Sequence, residues 1–293
     1  MSTRPWHTWL AAIPRLILWI LIIGVLATMI FQQIQAAAQQ EQRLALIREI
    51  QHERQSRVIT LIHEKQLISI LGIPFRGFID IEDAEAILQV VRETPPDMPI
   101  DMIIHTPGGL ALAATQIALA LKSHQGRVTV FVPYYAMSGG TLLALAADEI
   151  VMDPYAVLGP VDPQLSLFPA VSIIEAVQAK PIEDVDDSTL IMADMAKKAI
   201  RQITDLVKQL LQDRMPEEKA EQIAVFLASG RFTHDYPITV SVGRSIGLPI
   251  STAVPDSVYR LVALYRKEDL ESSAVTSVPR DETARNDLSL TRP

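Results

Sequence analysis

The chain has 293 residues, a hydrophobic fraction of 49% and a formal net charge of −8 at pH 7. This acidic balance, without a basic patch interleaved with aromatic residues, argues against nucleic-acid binding. The chain contains no cysteine, which excludes disulfides, zinc thiolates and a cysteine nucleophile but does not fix the compartment. The length allows one large domain or two small ones.

The N-terminal region contains an uncharged, strongly apolar run at residues 16–31. At about 1.5 Å per residue the run is slightly short for a hydrocarbon core of roughly 30 Å, and the apolar residues 9–14 and Ile34 extend it. The sequence therefore predicts one membrane-spanning helix within residues 1–35. A signal peptide cleaved after Ala38 and a buried core helix are the alternatives. The numbers of positively charged residues before and after the apolar run are nearly equal, so the sequence does not predict the membrane orientation.

The rest of the chain divides into three predicted segments. Residues 36–56 are rich in Gln, Glu and Arg, with Leu44, Ile47 and Ile50 at helical spacing, which predicts an amphipathic stalk helix. This stalk is either a solvated spacer or an oligomerisation face. A globular domain is predicted over residues 57–270. Residues 271–293 are polar without apolar periodicity and are predicted to form a disordered tail.

Strands and helices alternate through the first half of the globular domain. Apolar runs predict strands at residues 58–62, 100–104, 128–132 and 149–152. Helices are predicted at residues 80–92, 111–121 and 142–147, the first capped by Asp80 or Asp83. This alternation implies crossover connections and a mostly parallel sheet. From residue 169 onward the sequence is mainly helical, with helices predicted at residues 171–179, 189–211 and 217–228.

Two glycine pairs each follow a predicted strand and precede a predicted helix: Gly108-Gly109 and, after Ser138, Gly139-Gly140. Glycine permits a tight turn, and a helix N-terminus offers free N–H groups. Both turns should lie at the carboxyl edge of the sheet, where one can supply a nucleophile and the other N–H donors for an oxyanion. Taken alone, the Ser-Gly-Gly turn is equally compatible with a plain helix start.

Three segments carry a family resemblance: residues 105–109 (HTPGG), 135–141 (YAMSGGT) and 158–164 (LGPVDPQ). They resemble the serine dehydrogenase proteinase family, which belongs with signal peptide peptidase A in the group that shares the Clp protease and crotonase fold. The resemblance implies an α/β fold of Clp/crotonase-like repeated ββα units with a mostly parallel sheet. The transmembrane helix predicted from the apolar run precedes this fold. No Gly-rich dinucleotide fingerprint supports dehydrogenase chemistry, and no cofactor is expected.

Ser138 is the predicted nucleophile, and its hydroxyl needs a base to remove the proton. The resemblance to signal peptide peptidase A implies a serine–lysine dyad, and Lys180 lies at a comparable distance downstream. A lysine acts as a base only when its pKa falls toward neutrality, for example through burial. The alternative without a catalytic role is that Lys180 is a solvated lysine at a helix end. Lys198 and His234 are the alternative bases. His234 adjoins Asp235, which together could form part of a Ser-His-Asp triad.

The resemblance also places the oxyanion donors on the backbone N–H groups of Gly108 or Gly109, together with Gly139. Asp162 lies in a rigid Gly-Pro-Val-Asp-Pro segment that either lines the substrate cleft or only shapes a turn. His105, just before the first turn, is interpreted as a packing or hydrogen-bonding residue. No spacing of His, Asp and Glu indicates a metal site.

The favoured interpretation is a membrane-anchored serine peptidase that hydrolyses peptide bonds through a Ser138 acyl-enzyme. Its expected partners are a peptide or membrane-protein substrate, membrane lipid and further copies of the chain. Two alternatives keep the fold: a crotonase-type acyl-thioester enzyme, against which Ser138 argues, and a non-catalytic membrane scaffold. The sequence leaves open the natural substrate, the membrane side and the number of subunits.

Overall fold

A computed structural model of the chain describes residues 7–63, 69–70, 73–74 and 77–266. The predicted tail at residues 271–293 lies outside these ranges. The centre of the fold is a sheet built from β1 (Arg57–Ile62), β4 (Ile100–His105), β5 (Val128–Val132), β7 (Glu149–Met152) and β12 (Ile250–Ser251). These five strands lie in the order β1-β4-β5-β7-β12, and every neighbouring pair is parallel. The predicted α/β fold with a mostly parallel sheet is confirmed.

The strands of this main sheet are mostly apolar because helices cover both faces. β4 and β5 are buried along their whole length. A strand that meets no water on either face has no need to alternate apolar and polar residues. The runs that predicted these strands therefore match their observed bounds to within one residue.

One face of the main sheet is covered by α2 (Ile81–Glu93), α3 (Ala111–Ser123), α4 (Gly139–Leu145), α6 (Asp187–Leu211) and α7 (Glu217–Ala228). The start of α2 agrees with its predicted cap. Asp80 accepts the Asp83 N–H, and the Asp83 side chain accepts the Asp80 N–H in return. This reciprocal box satisfies two backbone donors that the first helical turn leaves free.

The opposite face is covered by α1 (His7–Arg54) and α9 (Asp256–Tyr265). Ile50 of α1 and Leu261 of α9 pack against Ile103 and Phe131 of the sheet. α1 is a single helix of 48 residues that runs through both the predicted anchor and the predicted stalk. Its segment Leu18–Arg54 contains a stretch that is long and apolar enough to cross a membrane and is not buried by the rest of the protein.

Smaller elements complete the described structure. A three-stranded sheet contains β6 (Tyr135–Ala136), β8 (Val157–Leu158) and β11 (Ile238–Thr239). Two antiparallel pairs are β2 (Ser69–Ile70) with β3 (Ile73–Pro74), and β9 (Gln164–Leu165) with β10 (Phe168–Pro169). The remaining α-helices are α5 (Ala170–Gln178) and α8 (Val240–Ile246). The three-stranded sheet extends beyond the carboxyl ends of β4 and β5, where β6 forms a bridge from Ala136 to Thr106.

Candidate active site

Ser138 occupies a sharp turn between β6 and α4. Its φ of 49° and ψ of −116° lie in a region that a residue with a Cβ rarely adopts, and such strain costs roughly 1–3 kcal/mol. The turn is held by the Gly140 N–H, which donates to the Met137 carbonyl at 2.8 Å, and by the Met137 N–H, which donates to the Thr106 carbonyl at 3.0 Å. α4 begins at Gly139, three residues before the predicted start at residue 142. A strained serine on a strand-to-helix turn exposes its hydroxyl above the sheet.

The first glycine turn lies directly against Ser138. Gly108 has a φ of 100°, and a Cβ added to it would lie 2.7 Å from the Ser138 Cβ. A Cβ on Gly109 would lie 2.2 Å from the Ile79 carbonyl oxygen. Ile79 clamps this turn, since its N–H donates to the Gly108 carbonyl and its own carbonyl accepts the Leu110 N–H, both at 2.8 Å. Both positions therefore require glycine.

The glycine turns beside Ser138 differ in which backbone N–H groups are already hydrogen-bonded. The Gly108 N–H donates to the Thr106 hydroxyl oxygen at 3.1 Å, so it is already engaged. The N–H groups of Gly109 and Gly139 make no hydrogen bond within the part of the chain that the structure describes. A Cβ on Gly139 would lie 3.5 Å from the Gly109 nitrogen, so these two groups are close neighbours. Among the predicted donors, Gly109 and Gly139 are thus the pair with free N–H groups.

A cavity of about 470 Å³ opens beside this pair of turns. A volume of this order is typical of a ligand site. The groups capable of chemistry that line it are Gly109, Ser138, Gly139, Asp162, Gln164 and His234. The apolar part of its wall includes Leu110, Leu142, Val161, Leu165 and Ile203. Of the two interpretations of the Asp162 segment, the cleft-lining one therefore describes the structure.

His234 and Asp162 form a hydrogen-bonded pair in this cavity. His234 Nδ1 lies 2.8 Å from Asp162 Oδ1, and Asp162 is only 3% exposed. Gln164 Nε2 donates to the other carboxylate oxygen at 2.6 Å. With its proton on Nδ1, the His234 ring keeps Nε2 available as a proton acceptor. The carboxylate partner of His234 is therefore Asp162 and not its sequence neighbour Asp235.

Hydrogen bonds from backbone N–H groups hold the Asp162 loop beside α4 and α7. The Gly159 N–H donates to the Thr141 hydroxyl at 3.1 Å, and Thr141 lies in the first turn of α4. The Val161 N–H donates to the Leu227 carbonyl near the end of α7 at 2.9 Å. The loop that carries His234 follows α7. Both halves of the pair are thus fixed by the same helix end.

The chain matches the family described as ClpP-like SDH-type serine proteinase over residues 7–288. It belongs to this serine proteinase family. The family resemblance that the sequence motifs predicted is confirmed.

Two relatives are proteins of Methanocaldococcus jannaschii. The first, "Uncharacterized protein MJ0137", is 51% identical over 267 residues, which cover 91% of this chain and 92% of the relative. The second, "Uncharacterized protein MJ1495", is 56% identical over 223 residues, which cover 76% of each chain.

Two solved structures are similar at low sequence identity. A variant of the 1510-N membrane-bound stomatin-specific protease has a TM-score of 0.44 and 16% identity, and the match covers 70% of this chain and 82% of that one. ClpP1 from Listeria monocytogenes has a TM-score of 0.42 and 16% identity, covering 71% of this chain and 98% of the other.

The two lysines predicted as bases do not line this cavity. Lys180 is exposed just beyond α5. The Lys198 side chain is 59% exposed and paired with Asp194 one turn earlier on α6; the hydrogen bond from Lys198 lowers the pKa of Asp194. No lysine of the described part of the chain lines the cavity beside Ser138. His105 is buried with its ring 4.2 Å from that of Tyr135, as expected of a packing residue.

Proposed function

We propose that the chain is a membrane-anchored serine peptidase in which Ser138 is the nucleophile and His234, oriented by Asp162, is the general base. One observation carries this proposal. The strained serine, the free N–H groups of Gly109 and Gly139, and the His–Asp pair all border one cavity. This combination matches the requirements of acyl transfer: a nucleophile, a base with its own orienting partner, and an oxyanion site.

The proposed reaction has two halves. In the first, His234 Nε2 takes the Ser138 proton while the Ser138 oxygen attacks the carbonyl carbon of the scissile peptide. The N–H groups of Gly109 and Gly139 donate hydrogen bonds to the oxyanion of the tetrahedral intermediate. When this intermediate collapses, the amine leaves with the proton that His234 returns. In the second half, His234 activates a water that attacks the acyl-enzyme and releases the acid. Asp162 stabilises the imidazolium formed in each half.

Histidine is favoured over lysine as the base because of burial and position. Asp162 is almost fully buried and holds His234 Nδ1 at 2.8 Å, while the His234 side chain itself is 34% exposed at the cavity. Lys180 is exposed and is not part of the cavity wall. A lysine–serine dyad would require Lys180 or Lys198 to move to Ser138. The lysine base is therefore the alternative that the experiment below decides.

The proposed anchor is the exposed half of α1. Every residue at positions 18–38 is exposed, and most of the large side chains there are apolar, including Trp19 at 61% and Phe31 at 60%. An apolar helix surface of this extent is costly in water and suits the hydrocarbon core of a bilayer. The site chemistry and the anchor are independent parts of the proposal.

Assembly into a homo-oligomer also stays a prediction, to be measured by light scattering of the detergent-solubilised protein.

The test compares detergent-solubilised full-length protein with five variants: Ser138→Ala, His234→Ala, Asp162→Asn, Lys180→Ala and Lys198→Ala. The readouts are labelling by a fluorophosphonate probe and initial rates on a quenched-fluorescent peptide library. We expect losses of about 10³-fold or more for Ser138→Ala and His234→Ala, because members of a catalytic unit fail together. Both lysine variants should keep near-normal rates.

Other outcomes would overturn parts of the proposal. Near-normal hydrolysis by His234→Ala, together with loss in Lys180→Ala or Lys198→Ala, would move the base to that lysine. A folded wild type that neither labels nor hydrolyses would be the non-catalytic scaffold. Turnover of an acyl-thioester that survives in Ser138→Ala would indicate crotonase-type chemistry instead.

A further inference from the structure

The contacts of α1 show at which edge of the main sheet its exposed N-terminal half leaves the domain. At its C-terminal end, Arg54 forms an ion pair with Asp101, the second residue of β4. This end of α1 therefore lies at the amino edge of the sheet. α1 then follows α9 in the antiparallel sense, with the Ser257 hydroxyl donating to Glu53 at 3.4 Å and Gln39 Nε2 donating to the Leu264 carbonyl at 2.8 Å.

The C-terminal end of α9 lies at the other edge. The Arg266 guanidinium lies 5.0 Å above the ring of Tyr134, and Tyr134 comes just after the carboxyl end of β5. Gln39 contacts Leu264, two residues before Arg266, so Gln39 is also at this level. The exposed half of α1 thus leaves the domain at the carboxyl edge of the sheet. This is the edge at which Ser138 and its cavity lie.

Little chain separates the apolar half of α1 from the domain. Residues 18–38 are exposed, and contact with the domain begins at the half-buried Gln39. Ile34 is the last large apolar side chain before that point. From Ile34 to Gln39 the axis of a helix rises only about 8 Å. A bilayer around the apolar half would therefore begin within about two helical turns of the carboxyl edge.

The same edge carries exposed apolar side chains. Tyr155, in the loop after β7, is 93% exposed, and Leu167, at the tip of the β9–β10 hairpin beside the cavity, is 89% exposed. Phe168 in that hairpin and Leu110 and Leu112 at the start of α3 are exposed as well. Leucine and aromatic side chains around one edge are typical of a surface that inserts into lipid headgroups.

We infer that the active-site edge of the domain rests on the lipid surface, with Tyr155 and the β9–β10 hairpin in contact with the headgroup region. This inference rests on the proposed anchor and not on the proposed chemistry. Lipid is favoured over a second copy as the occupant, since the anchor leaves from this edge and brings the bilayer within reach of these side chains. A second copy would have to enter between the domain and the bilayer.

The absence of native cysteine makes a direct test simple. Tyr155→Cys and Leu167→Cys probe the proposed contact, and Asp97→Cys and Gln125→Cys are matched controls at exposed positions in the loops before β4 and β5, at the amino edge. Each full-length variant is labelled with an environment-sensitive fluorophore and placed in phosphatidylcholine vesicles with or without a spin-labelled quencher lipid. We expect quenching at least about twofold stronger at Tyr155 and Leu167 than at the controls, because interfacial side chains reach roughly 5–10 Å into the headgroup boundary.

Equal quenching at all four positions would overturn the inference. Labels at Tyr155 and Leu167 that are shielded from water yet insensitive to the quencher lipid would also overturn it, and would indicate contact with another copy. Vesicle flotation after an alkaline wash tests the anchor separately, since an unanchored protein would not float. The same measurements in the Ser138→Ala background keep the result independent of catalysis.

Discussion

The Thr106 hydroxyl lies 2.8 Å from His63 Nδ1, and the Thr106 oxygen accepts the Gly108 N–H at 3.1 Å. His63 Nε2 in turn lies 3.1 Å from a carboxylate oxygen of Asp83, in the first turn of α2. A chain of hydrogen bonds therefore runs from the start of α2 to the glycine turn beside Ser138. Thr106 is fully buried, so its bonds are shielded from water.

Replacing Thr106 with valine tests whether this chain positions the turn. Thr106→Val removes the acceptor of the buried Gly108 N–H, which should lower the free energy of unfolding by about 1–3 kcal/mol. We expect kcat to fall about tenfold or more with a smaller change in KM, because the neighbouring Gly109 N–H loses its alignment. Thr106→Ser keeps the hydroxyl and should retain most activity. Equal kcat values for the valine and serine variants would refute the role of the hydroxyl.

Gly109 should tolerate no side chain. In Gly109→Ala the new Cβ would lie 2.2 Å from the oxygen and 2.3 Å from the nitrogen of Ile79, and these backbone atoms are held by the turn. We expect a loss of about 3 kcal/mol or more in the free energy of unfolding, or failure to fold. Gly243→Ala is the control, since its Cβ would meet side-chain carbons and no backbone atom, with the end of Ile250 at 2.3 Å and that of Leu248 at 3.8 Å. Urea unfolding should show a cost below about 1 kcal/mol for the control.

The Arg54–Asp101 pair, which links α1 to β4, should contribute more to stability than the Arg260–Glu49 pair, which links α9 to α1. The Asp101 side chain is 2% exposed and also accepts the Ser56 hydroxyl at 2.7 Å, so Arg54→Ala leaves a buried carboxylate without its cation. We expect a cost of about 2–4 kcal/mol, below that of a fully buried pair because Arg54 is itself 35% exposed. Arg260→Ala breaks an exposed pair and should cost under about 1 kcal/mol. Similar denaturation midpoints for the two variants would contradict this ranking.

Because of Tyr259, the free energy of unfolding should depend on pH in the alkaline range. Burial, and next the hydrogen bond that its hydroxyl donates to Asp153, raise the pKa of Tyr259 well above its usual range. A raised pKa means that the folded state favours the neutral phenol, so this stabilisation is complete below about pH 10 and is lost as the pH rises through the folded-state pKa.

Tyr259→Phe should therefore lower the free energy of unfolding by about 0.5–1.5 kcal/mol at pH 7 and flatten its decline above about pH 10. Urea titrations across this range measure both effects. Tyr155→Phe is the control, because Tyr155 is 93% exposed and its loss should leave the pH profile unchanged. An identical alkaline decline in the wild type and Tyr259→Phe would show that other groups cause it.

The parts of the fold that were predictable from sequence depend on neighbouring residues. The buried strands are mostly apolar, and α2 begins with a capping box between Asp80 and Asp83. The turn at Ser138 was recognisable because a strand, two glycines and a helix follow one another along the chain. Each of these signals lies within a few residues, where steric and hydrogen-bond preferences act directly.

The His234–Asp162 pair was not predictable in this way. Its members are 72 residues apart, and α5, α6 and α7 lie between them. The approach of the two loops depends on tertiary contacts such as the bond from the Val161 N–H to the Leu227 carbonyl. The local sequence instead pointed to Asp235, which adjoins His234. The two-residue strands β6 and β8 were missed because they are too short to show a period.

The burial of Ile50 has a practical consequence for shortening the protein. Ile50 is fully buried against Val58 and Phe131, so the last turns of α1 belong to the hydrophobic core. A truncation that begins at residue 57, the predicted start of the globular domain, would uncover this face and invite aggregation. A truncation that begins at Gln39 keeps the packed turns and discards the apolar ones. It is the natural starting point for a version of the protein that is handled without detergent.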